Sequence, residues 1–115
     1  MKKGRIVLTP FPFTDLHGKK VRPAVIVSSN KRKGNDIIVS FISSIVNENE
    51  LSTTDLLIRN TDAAFKQSGL KVTSIIKADK LATLSRDILL GELGSLSKEI
   101  MHNLDEKIKL AFDIE

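Results

Sequence analysis

Cysteine is absent from the chain, and so are tryptophan and tyrosine. Without cysteine there is no disulfide, no thiolate metal site and no cysteine nucleophile. Histidine occurs only at His17 and His102, too few for a histidine-built metal centre, so no metal and no cofactor are expected. With aromatic residues at 4%, all of them phenylalanine, the stacking platform common among single-strand binders is thin. Proline is confined to Pro10, Pro12 and Pro23, which concentrates rigid backbone near the start. No run of about eighteen apolar residues occurs, and no charged-then-apolar leader, so a cytoplasmic protein with no membrane partner is expected. Repeats and low-complexity tracts are missing as well.

What remains is 115 residues with an apolar fraction of 41%, the size and composition of one domain, 1–115, around a modest core. The formal charge is +4 and the pI about 9.5. Distribution says more than the sum. Up to Lys33 there are nine lysines and arginines against one acid, Asp15, and the other acids follow later. The first third is a positive field suited to a polyanionic partner.

Within that field the stretch LHGKKVRPAVIVSS runs from a basic loop (His17, Lys19, Lys20, Arg22) into an apolar strand. Pro23 has no N–H for a ladder, so it suits the first residue of a strand or an edge, and it biases Arg22 towards extended backbone. Arg22 thus stands at the lip of a sheet, placed either to grasp a phosphate or to pin a loop carbonyl or carboxylate.

Taken in order, residues 5–9 read as a strand and residues 10–18 as a loop, whose Phe11 and Phe13 are anchors on the core or, less simply, base-stacking rings. Residues 24–29 form a second strand and 30–36 a basic turn. Residues 37–43 form a central strand, apolar on both faces. Ser43 and Ser44 fall at its end, where hydroxyls point into a cleft or bond the turn backbone. A fourth strand is expected over 53–58 and a short helix over 60–67, capped by Asn60 or Thr61 and closed by Gly69. A fifth strand over 72–78, an extended piece over 81–84 and one helical turn capped by Ser85 come next. The last helix starts at the N-cap Ser97 with Glu99 in its first turn. Met101, Leu104, Ile108, Ala111 and Phe112 make its buried stripe, and His102 lies beside it. Five or so short strands with two helices predict a small, strongly bent antiparallel sheet, barrel-like, with helices over an open side.

The segments KKGRIVLTPFPFTDLHGKKVRPAVIVSS, DIIVSFISS and GLKVTSIIKADKLATLS, followed by the terminal helix, resemble the MazF/PemK family of toxin endoribonucleases, the PemK-like branch in particular. The resemblance implies an SH3-like, CcdB/MazF-type antiparallel barrel with a C-terminal amphipathic helix. It also implies a homodimer, metal-free cleavage of single-stranded RNA, and an antitoxin whose acidic C-terminal segment fills the RNA groove. In its register Arg22 contacts the scissile phosphate, and Ser43 stands where members usually have threonine. Asp79 matches an aspartate proposed as base, and Lys77 an arginine. Two departures are visible: a glutamate common in the first loop is replaced by His17, Gly18, Lys19 and Lys20, and an arginine usual before Thr83 is Ala82.

RNA brings its own nucleophile, the 2′-OH, so such an enzyme needs a base, an acid and cations facing the phosphorane. Arg22 suits the last task and Asp79 the first; His17 suits donating or relaying a proton, Lys77 acting as acid or as a fixed charge, and Ser43 a hydrogen bond to a non-bridging oxygen. Asp79 has a plainer role open to it, pairing with Lys77 or Lys80, and His17 has one as a turn residue. Lys19, Lys20, Lys31, Arg32, Lys33, Lys80 and Thr83 are assigned to RNA binding. Two other functions compete: a CcdB-type poison of DNA gyrase, for which the FDIE end of the chain lacks the expected aromatic-isoleucine ending, and a decayed member that binds RNA or antitoxin without cutting.

Overall fold

The computed structural model describes residues 2–10 and 20–115. Six strands form a single antiparallel sheet in the order β4-β5-β3-β2-β1-β6. They are β1 (Arg5–Pro10), β2 (Val21–Ile26), β3 (Asp36–Ser43), β4 (Asp55–Ile58), β5 (Ser74–Ser85) and β6 (Gly91–Ser95). Two helices complete the fold, the short α1 (Phe65–Ser68) and α2 (Lys98–Ala111). The sheet curls into a half-barrel, as the strand pattern predicts, and among the described residues no helix is long and apolar enough to cross a membrane.

Both faces of the sheet are apolar, because the two-residue period sends alternate side chains of β2 and β3 to opposite sides. Val25 and Ile42 join Ile6, Ile58, Ile76 and Leu104 under α2. Ala24, Ile26, Val39 and Phe41 join Val7, Ile37 and Leu84 on the other side. That explains why β3 reads as apolar throughout: it is central and covered on both faces.

α2 forms where its cap and stripe require. The Ser97 hydroxyl accepts from the Ile100 N–H at 3.2 Å, and Leu104 is fully buried with Ile100, Met101 and Ile108 packed alongside. The stripe ends sooner than its spacing predicts: Ala111 is exposed and Phe112 is 60% exposed, Phe112 bordering an open cavity against Val27, Ile38 and Leu81. His102, beside the stripe, is exposed. Replacing Ser97 by alanine removes the cap and is expected to cost about 1 kcal/mol in urea denaturation.

Three other expectations change. β2 begins at Val21, three residues earlier than predicted, with Pro23 inside it opposite Leu8. The helix expected over 60–67 shrinks to α1 with Ala64 at its N-cap, and the Asn60 N–H instead donates to Thr73 Oγ1 at 2.9 Å. β6 is a strand the propensities do not announce; β1 pairs with it along its free edge. The expected Gly69 stop and Ser85 cap are both present.

Candidate active site

The site arises where β2 and β3 part. Their ladder runs Ile26↔Val39, Val25↔Ser40, Ala24↔Phe41 and stops. The next residue on β2 is Pro23, which lacks the N–H to extend it, and at that point β2 is paired with β1 alone. Continuing the register by two residues sets Arg22 across from Ser43, both on the face that carries Ala24 and Phe41. The gap between them is a cleft of about 170 Å³ lined by Arg22, Phe41, Ile42, Ser43, Lys77 and Lys80.

The far wall comes from an irregularity in β5. Ser40 pairs with Leu81 and Ile42 with Ile76, so Phe41 alone faces the four residues from Lys77 to Lys80. Such a bulge re-aims side chains at the end of a ladder. It also explains why the sequence reads as two extended pieces where there is one strand. The buried Ser40 hydroxyl donates to the Lys77 carbonyl at 2.6 Å, and the Ala78 N–H donates to the Thr54 carbonyl at 3.0 Å, which fixes the backbone there. Lys77 reaches across to Asp55, its register partner on β4, with Nζ 3.2 Å from Oδ2.

Ser43 is half-buried, and its Oγ accepts the Ile45 N–H at 3.1 Å. The two alternatives for this hydroxyl are therefore compatible. Accepting from the turn fixes the oxygen, and the hydroxyl proton remains to be donated into the cleft. A second cavity of about 290 Å³ shares Arg22 and Ile42 as a wall and is otherwise largely apolar, with Leu8, Pro23, Leu70 and Leu93 around it.

The structure thus brings together four of the predicted residues: Arg22, Ser43, Lys77 and Lys80. Asp79 is exposed on the bulge and does not line the cleft. Lys77 pairs with Asp55, a residue the sequence gives no reason to single out. Thr83 lies further along β5, with Lys33 beside a shallow cavity of about 460 Å³. Lys20, Lys31, Arg32 and Lys33 are exposed, and Arg32 pairs with Asp36 at 3.0 Å. His17 and Lys19, with Phe11 and Phe13, lie outside the described residues. Among the described residues no group of three or more acidic or histidine side chains is arranged to hold a metal ion.

Residues 2–112 match the PemK-like, MazF-like toxin family of type II toxin-antitoxin systems. The chain belongs to this family. Known structures share its fold across the whole length. An endoribonuclease in complex with its cognate antitoxin, from a mycobacterial species, is 19% identical with a TM-score of 0.77, covering 100% of this chain and 97% of the other. The Mycobacterium tuberculosis toxin MazF-mt6 is 20% identical with a TM-score of 0.73, covering 96% and 98%. A MazE-MazF structure from Deinococcus radiodurans is 17% identical with a TM-score of 0.73, covering 100% and 98%. No curated protein matches the sequence. In this PemK-like toxin, then, the cleft between β2, β3 and β5 sits on the MazF fold, with Arg22 in its wall.

Proposed function

We propose that the protein is a toxin endoribonuclease that cleaves single-stranded RNA, mRNA in particular, without a metal ion. The observation that carries this reading is the cleft itself. Arg22, Lys77 and Lys80 converge with the Ser43 hydroxyl in one small cavity suited to a phosphodiester.

In the proposed reaction the 2′-oxygen attacks the adjacent phosphorus, a cyclic phosphate forms, and the 5′-oxygen leaves with a proton. Arg22 addresses two phosphate oxygens with its planar fork, and Ser43 donates to a non-bridging oxygen. Asp79, exposed on the bulge between Lys77 and Lys80, takes the 2′ proton from outside the cleft, and His17 or Lys77 supplies the proton for the leaving oxygen. The apolar cavity behind Arg22 receives the sugar or base next to the scissile phosphate. Lys19, Lys20, Lys31, Arg32, Lys33, Lys80 and Thr83 hold flanking nucleotides by charge and hydrogen bonds. The toxin acts in the cytoplasm as a homodimer, restrained by an antitoxin whose acidic C-terminal segment competes with RNA for the cations.

Purified protein incubated with a long single-stranded RNA in EDTA is expected to release fragments with 5′-hydroxyl ends. RNA left intact, or cleavage that requires added divalent ions, would overturn the reading. RNA bound tightly and never turned over would identify a decayed member instead.

A further inference from the structure

Asp55 is a buried carboxylate in a strand, DLLI, whose other members are apolar. Only 7% of it is exposed, and burying a charge is costly unless it is paired. Its surroundings hold it still. The Ser52 N–H donates to Oδ2 at 3.1 Å, and Lys77 Nζ stands 3.2 Å from both Oδ2 and Oδ1. Oδ1 is buried with no hydrogen bond of its own. If stability alone were at issue, a pair of apolar residues would serve this site as well or better. The carboxylate acts instead as a fixed post. It stands on β4, its orientation is set by a backbone N–H, and it pairs with the ammonium of Lys77, a residue that also lines the cleft.

Lysine is a flexible cation whose head samples many positions when it is unheld. Here both ends are restrained, the carbonyl by the Ser40 hydroxyl and the ammonium by Asp55. The ammonium keeps further N–H groups to offer. We propose that Asp55 is a positioning residue. It holds the Lys77 ammonium at the cleft wall facing Arg22 and Ser43, at a set distance from the scissile phosphodiester. This role rests on the RNA-cleavage reading above.

The test compares wild type, Asp55→Asn, Lys77→Met and the double variant. Asparagine keeps the shape and the acceptor for Ser52 but not the charge. Asp55→Asn is expected to lower kcat about 10–100-fold with KM little changed, since misplacing one group by about 1 Å is worth that much. Adding Asp55→Asn to Lys77→Met is expected to lower kcat no further, whereas a role of Asp55 independent of Lys77 would show its loss again in that background. Acylation of Lys77 by acetic anhydride, read by mass spectrometry, needs no enzymatic activity. Lys77 is expected to label more slowly than exposed Lys80 in wild type, and severalfold faster in Asp55→Asn than in wild type. Wild-type cleavage by Asp55→Asn, an undiminished loss in the Lys77→Met background, or wild-type Lys77 labelling as fast as Lys80 would each overturn the proposal. The last comparison decides even if Asp55→Asn does not fold. Wild type that shields Lys77 but cleaves no RNA would remove the nuclease reading, and this role with it, while leaving the pairing intact.

Discussion

Arg22→Ala is expected to lower RNA cleavage about 10²–10³-fold, the usual effect of removing one preorganised donor from a developing oxyanion. The folded protein should be retained, because Arg22 is only half-buried and the core residues Ala24 and Val25 carry the strand. Arg22→Lys should recover part of the rate and no more. An ammonium restores the charge but not the two parallel N–H bonds of a guanidinium. Initial rates on a fluorogenic oligoribonucleotide, with circular dichroism on each variant, make the comparison. The effect is expected in kcat more than in KM, since the charge on the phosphate oxygens grows towards the phosphorane.

Gly69→Ala is expected to be the most damaging small substitution for stability. Gly69 ends α1 with φ +72°, and a Cβ there would stand 2.0 Å from the Leu93 carbonyl oxygen on β6. Left-handed backbone strain costs about 1–3 kcal/mol. Overpacking against backbone that cannot move aside adds about 1–3 kcal/mol. Urea denaturation should show the sum, with the midpoint moved and the slope unchanged. Gly34→Ala is the internal control. Its φ is +102° but nothing lies within 4 Å of the added carbon, so only the strain should appear. The consequence reaches the site, because Gly69 and Leu70 both border the apolar cavity behind Arg22.

The parts of this architecture legible in the sequence are those set by local chemistry. The Ser97 cap and the recurrence of Met101, Leu104 and Ile108 announce α2, and Gly69 announces the end of α1. Arg22-Pro23 is legible for the same reason: a residue without an N–H marks where a ladder stops, and the arginine before it stands at the opening. What tertiary context decides is not legible. β6, GELGS, has two glycines and weak strand propensity, yet it pairs because β1 offers a free edge. The four-against-one bulge in β5 looks like a strand end until the pairing of β3 on both sides of it is known. Asp55 is one acid among several after residue 47; only its register partner makes it part of the site. Asp79 shows the converse, a carboxylate prominent in the sequence that the bulge leaves exposed outside the cleft.

In the proposed reaction Arg22, Ser43 and Lys77 share one phosphate. A crystal structure with a short oligoribonucleotide carrying a 2′-deoxy substitution at the cleavage position tests it most directly. The expected result is the scissile phosphate in the cleft between β2 and β3, with the Arg22 guanidinium, the Ser43 hydroxyl and the Lys77 ammonium within hydrogen-bond reach. A phosphate bound elsewhere on the basic surface, with that cleft unoccupied, would contradict it.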